Sequence, residues 1–83
     1  MDSRELQLSL GRAVRAAGAD LGYSQEPFAF MVGIHRTYMG AVERGERNVS
    51  LRNLVRIANA LKMPLSCLIA EAEKGTTAAE DPE

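Results

Sequence analysis

The chain holds one cysteine, one histidine, two phenylalanines, two tyrosines and no tryptophan in 83 residues. Aromatic residues make up 5% against an apolar content of 46%. The interior must therefore be filled mainly by aliphatic side chains and methionine, which favours a helical bundle over a β-sandwich. A single cysteine, Cys67, excludes an internal disulfide and points to a reducing cytoplasm. The lone His35 lies far from it in sequence and has no metal-ligand spacing, so no metal or other cofactor is expected. No apolar run approaches the ~20 residues of a membrane span. The opening MDSRELQLSL is charged and lacks the apolar stretch of a secretory leader. A nucleophile–base pair, a phosphate loop and internal repeats are also missing, so the chain does not read as an enzyme.

The formal net charge is only −1, but it is unevenly spread. Residues 35–56 carry Arg36, Arg44, Arg47, Arg52 and Arg56 against Glu43 and Glu46. Residues 71–83 carry Glu71, Glu73, Glu80, Asp81 and Glu83 against Lys74. Screening limits charge effects to about 8–10 Å, so a basic middle can attract phosphate despite an acidic end. An ordinary solvated surface would account for the same arginines equally well.

Five helical segments follow from the apolar spacing. Leu6, Leu10, Val14, Ala17 and Leu21 form a stripe over about residues 4–20, with Ser3 as its expected cap and Gly22 as its stop. Ser24 is the expected cap of a second helix. Pro27 stands in its first turn, so the Ser24 hydroxyl is assigned to the Glu26 N–H. A third helix runs over about 35–44 and ends at Gly45. Ser50 caps a fourth over about 51–61, with Leu51, Leu54, Ile57, Ala58 and Leu61 as its apolar stripe. Pro64 opens a fifth, with Leu65, Leu68 and Ile69 inward or at an interface. One domain, about 1–74, is expected, followed by a disordered acidic tail, 75–83.

Residues 25–44, QEPFAFMVGIHRTYMGAVER, carry the most information. Phe28, Ala29 and Val32 share one face of the second helix, and the small Ala29 lets the third approach closely. Gly33 can take the positive φ that a tight turn between two helices needs. Ile34, Met39 and Val42 then point inward. Arg36, Thr37, Gly40, Ala41 and Arg44 remain as one outward stripe with few acids, a shape suited to the major groove of DNA.

The run from Leu10 to Ile69 resembles the lambda-repressor-like (Cro/Xre-type) helix-turn-helix family. The likeness rests on Leu10-Gly11-Arg12, Ser24-Gln25-Glu26, Gly33-Ile34 and the stretch from His35 to Ile69. The resemblance implies an all-α, five-helix DNA-binding domain with the helix-turn-helix in helices two and three. It implies a homodimer on palindromic operator DNA that regulates transcription. Among small members, the HRTY…ERG…RN…S run looks most like the controller proteins of restriction–modification systems, with phage repressors and antitoxins close by.

Carried across, the likeness puts Arg36, Thr37 and Ala41 against bases. It puts Gln25, Tyr38, Arg44, Arg47, Asn48 and Ser50 against the sugar–phosphate backbone. Arg36 has the fork for guanine O6 and N7, although a phosphate contact or a plain surface position uses the same side chain. Thr37 suits a base edge or a second capping role; Ala41 and Gly40 offer at most apolar contact or close approach. Tyr38 is expected to pack toward helix two and offer its hydroxyl to a phosphate, or to be a half-buried core residue. The family often has arginine where this chain has Gly18, so Glu43 is left to Arg15, Arg47 or water. Helix five, with Leu65, Cys67, Leu68 and Ile69, is the expected pairing surface. Cys67 reads as a small hydrophobe in the core or in that interface. Phe30 and Met31 are unexpectedly apolar. Coverage by helix one, with Leu6 and Leu21, is expected; the other reading is an exposed patch for a protein partner, as in an antitoxin or adaptor.

Overall fold

A computed structural model describes residues 1–76. Five helices occur in the order α1 (Ser3–Asp20), α2 (Gln25–Val32), α3 (Arg36–Glu43), α4 (Leu51–Ala60) and α5 (Leu65–Lys74). The all-α, five-helix expectation holds, and there is no strand among the described residues. Gly75 and Thr76 follow α5, and Thr76 is buried. The rest of the expected tail, 77–83, lies outside the described residues.

Local chemistry sets the helix limits. α1 is capped by Asp2, not Ser3: its carboxylate accepts from the Glu5 N–H at 2.8 Å. A carboxylate satisfies the free donor and also favours the positive end of the helix dipole. Ser24 precedes α2 in extended conformation but makes no side-chain cap bond. The residue three further on, the usual target of a capping hydroxyl, is Pro27, which has no N–H to give. The assignment of Ser24 to the Glu26 N–H is thereby corrected. Between α2 and α3, Gly33 takes φ +90°, and the Ile34 N–H returns to Ala29 O at 3.1 Å. That reversal is the tight turn expected of Gly33, in a region that side chains with a Cβ disfavour.

The core is a single cluster. Val14, Phe28, Met39, Ile57 and Leu68 are its largest fully buried apolar side chains, one from every helix. Each contributes on the order of 1.5–3 kcal/mol by burial. Leu68 is 1% exposed, so it belongs to this core rather than to a pairing surface. α5 lies along α1, and the buried Ser9 hydroxyl donates to Ala72 O. Leu51, placed in the inward stripe of helix four, instead points to solvent, because the first helical turn projects past the core that Ile57 and Ala58 fill.

Candidate nucleic-acid interface

α3 is seated from behind by α1. Gly11 faces the carbonyls that end α3; a Cβ there would sit 2.7 Å from Glu43 O, closer than atoms pack. Gln7 Nε2 donates to Gly45 O at 2.9 Å. Gly45 itself, at φ +75°, rests on Leu8: an added Cβ would meet the Leu8 Cα at 2.8 Å. Glycine at both contacts lets backbone approach backbone, and that approach fixes the depth of α3. Its inner face is Met39 and Val42, both buried.

The opposite face carries Arg36, Thr37 and Arg44, all exposed, with Ala41 half-buried between them. Gly40 is not part of this stripe. It is buried, and a Cβ on it would lie 3.1 Å from Arg44 Nη1 and 3.3 Å from Gln25 Oε1. The Gln25 side chain crosses over Gly40 so that its Nε2 donates to Glu43 Oε1 at 2.9 Å. Gln25, rather than Arg15 or Arg47, is thus the partner of Glu43. The amide occupies the acid that would otherwise stand bare beside the stripe.

The start of α3 is tied differently. His35 Nδ1 accepts from the Thr37 N–H at 3.0 Å, so His35 is the cap at the helix start and Thr37 is not needed for it. Arg36 Nη1 lies 3.4 Å from Glu26 Oε2, with both side chains largely exposed. An exposed pair at that distance is worth ~0–1 kcal/mol and is readily exchanged for a better acceptor.

A second cluster gathers where the loop after α3 meets α4. Ser50 Oγ accepts from the Asn53 N–H at 3.1 Å, as its capping role requires. Asn53 Nδ2 donates to the Tyr38 hydroxyl at 3.1 Å. The Arg47 guanidinium stands over the Tyr38 ring, 5.3 Å from its centroid, a cation–π distance. Tyr38 therefore turns toward α4, not toward α2, because the neighbouring Met39 takes the inward position. Its hydroxyl still has a proton to donate. Arg44 Nε pairs with Glu46 at 3.1 Å on the surface, and Asn48 is exposed. Two helix starts, at Gln25 and Ser50, thus flank the stripe of α3. Gln7, Leu8 and Asn53 were not singled out from sequence, and Gly11 was marked only as part of the family likeness, not as a contact. The one signal was Gly11 itself, a glycine inside a helical pattern.

On α5, Leu65 and Ile69 are half-buried and Cys67 is exposed, so Cys67 is not in the protomer core. Leu51 and Val55, four apart on α4, are exposed as well. Phe30 is 87% exposed and Met31 39%. Coverage by α1 is overturned: Leu6 packs on the core and Leu21 is itself exposed. Among the described residues no cluster of His, Cys, Asp or Glu could hold a metal. No helix of the described chain is long and apolar enough to cross a membrane.

A helix-turn-helix family profile matches residues 12–66. Control protein C.SmaI of Serratia marcescens is 42% identical over 69 residues, spanning 83% of this chain and 79% of that protein. Control protein C.MunI of a Mycoplasma species is 47% identical over 51 residues, 61% of this chain and 69% of that one. The crystal structure of the restriction-modification controller protein C.AhdI from Aeromonas hydrophila matches with a TM-score of 0.76 at 40% identity. The match covers 82% of this chain and 99% of that chain. With α2, the turn at Gly33 and α3 arranged as described, the chain belongs to the Cro/C1-type helix-turn-helix family of DNA-binding transcription regulators.

Proposed function

We propose that this protein is a controller-type regulator that binds a palindromic operator as a homodimer, with α3 in the major groove. The observation that carries this reading is the outer face of α3. It offers Arg36, Thr37 and Arg44 to solvent while its own acid, Glu43, is bonded to Gln25. In the groove, Arg36 leaves Glu26 and donates two parallel bonds to guanine O6 and N7. Thr37 meets the adjacent base edge, and Ala41 gives apolar contact. Gln25, Tyr38, Arg44, Arg47, Asn48 and Ser50 hold the sugar–phosphate backbone on either side and set the register.

The dimer forms through α5, using Leu65, Cys67 and Ile69, with the exposed Leu51 and Val55 of α4 adding apolar area. Two-fold symmetry then puts the half-sites about 34–36 Å apart, one turn of the duplex. The working compartment is the cytoplasm. A second reading, that of an adaptor or antitoxin-like module, draws on one observation: the exposure of Phe30 beside Met31, an apolar patch that suits a protein partner.

Selection from randomised duplexes at physiological salt tests the main reading. Enrichment of a two-fold symmetric site with half-sites one turn apart is expected. If no sequence outcompetes scrambled duplex, the operator reading fails, and a stable complex with a heterologous protein then favours the second.

A further inference from the structure

Arg15 stands outside every contact described so far. It lies on α1 four residues after Gly11 and three before Gly18. Gly11 abuts the end of α3, and Gly18 abuts the Phe28 ring of α2, its Cβ position 3.4 Å from the ring carbons. Residues at such spacing share one helix face, so Arg15 is on the side of α1 that looks toward α2 and α3. There it lines a groove of about 260 Å³ together with Ser24, Gln25, Phe28 and Glu43. Arg15 is exposed and makes no ion pair or side-chain hydrogen bond among the described residues.

We propose that Arg15 is a DNA-backbone residue contributed by α1: it neutralises one phosphate at the groove between α1 and the start of α2, and it screens that phosphate from Glu43. This rests on the DNA-binding reading above. Three features of the groove carry it. Ser24 leaves its hydroxyl free of the cap bond, so a donor is available beside the guanidinium. Gln25 opens α2 and marks where the duplex backbone passes. The Glu43 carboxylate gives one oxygen to Gln25 and keeps acceptor capacity turned to the same groove, where a phosphate would be repelled unless a cation stood between. Among the described residues, Arg15 is the only cation lining that groove.

The consequence is a coupling that a plain surface arginine would not show. Removing Arg15 takes away one counterion-releasing contact and also unmasks Glu43. One phosphate contributes about 0.9 to the slope of log affinity against log salt, so it accounts for about a 3.5-fold change in affinity between 50 and 200 mM salt. The test measures binding of the dimer to the selected duplex and to a random-sequence duplex over that range. Because the dimer carries two copies of Arg15, Arg15→Ala should lower the slope by about two on both duplexes, one contact per protomer, and Arg15→Lys should restore it. Glu43→Gln, which keeps an acceptor for Gln25, should tighten binding by Arg15→Ala several-fold more than it tightens the unaltered protein. Far-ultraviolet circular dichroism checks that each variant keeps its helices. If the unaltered protein binds with sequence preference and a steep salt slope while Arg15→Ala matches it in slope, the role of Arg15 is overturned. If the unaltered protein itself shows neither, the DNA-binding reading fails first.

Discussion

Two glycines in α1 make opposite demands, and replacing each by alanine tests how α3 is held. Both lie inside the helix, where alanine is favoured over glycine by about 1 kcal/mol. At Gly18 a Cβ would rest 3.4 Å from the Phe28 ring, an ordinary contact. Gly18→Ala should therefore stabilise the domain by about 1 kcal/mol. At Gly11 the nearest atoms are backbone: Val42 O, then Glu43 O at 2.7 Å and Glu43 C at 2.9 Å. α1 and the end of α3 would have to separate by at least about 0.7 Å to restore an ordinary contact near 3.4 Å. A shift of that size along the Gln7–Gly45 direction stretches their bond from 2.9 Å to about 3.6 Å, outside hydrogen-bond reach.

Overpacking of this kind costs ~1–3 kcal/mol, and the lost bond about 1 kcal/mol. Against the propensity gain of about 1 kcal/mol, the net effect of Gly11→Ala is a loss of ~1–3 kcal/mol. The two alanine variants should thus differ by ~2–4 kcal/mol, which for a domain of this size separates their melting midpoints by on the order of 10 °C or more. Denaturant unfolding at one protein concentration gives the stability difference, since dimerisation makes the midpoint concentration-dependent. Titration with the selected duplex gives the second readout. An α3 displaced by more than ~0.5 Å holds its contacts poorly, so affinity should fall about tenfold in Gly11→Ala and stay unchanged in Gly18→Ala. Equal stability and equal affinity of the two variants would refute the account of how α3 is seated.

The two arginines assigned different duties should separate under competition titration. Arg36→Ala should relax the preference at one base position in each half-site by ~1–3 kcal/mol, whereas Arg47→Ala should weaken selected and random duplex alike and lower the dimer's salt slope by about two, one contact per protomer. Identical behaviour of the two would show the assignment to be wrong. Phe30→Ser should leave unfolding stability within ~0.5 kcal/mol, because the ring is 87% exposed. The same change should abolish any self- or partner-association that uses this patch, and sedimentation velocity with and without a candidate partner would reveal it.

The elements of the fold were legible because their signals are local. Apolar spacing, the stops at Gly22 and Gly45 and the cap at Ser50 all act within a few residues, and the helices formed close to where they were expected. The outward face of α3 was legible for the same reason, apart from Gly40. What could not be read depends on residues distant in sequence. Gly40 looks exposed from its helical position; it is buried because Gln25, fifteen residues earlier, folds across it to reach Glu43. Leu68 and Ile69 are equally apolar neighbours, and only the placement of α5 against α1 decides that Leu68 enters the core. Asp2 and Ser3 are both good caps, and the choice between them turned on which lay one residue outside the helix.

The restraints on α3 are uneven along its length, and that bears on how it recognises a sequence. Its C-terminal end is fixed three times over, by Gly11 against its last carbonyls, by Gln7 on Gly45, and by Gln25 on Glu43. Its N-terminal end has the cap from His35 and the loose pair between Arg36 and Glu26. The residues assigned to bases, Arg36 and Thr37, thus sit at the end with the weaker side-chain ties, while Arg44, Arg47 and Ser50 cluster at or beyond the fixed end. On the proposed reading, backbone contacts at the fixed end would set the angle at which α3 lies in the groove. Arg36 has only an exposed partner to give up, at a cost of ~0–1 kcal/mol. That is small beside the ~1–3 kcal/mol of discrimination from a bidentate base contact, so holding Arg36 away from DNA does not erase its selectivity.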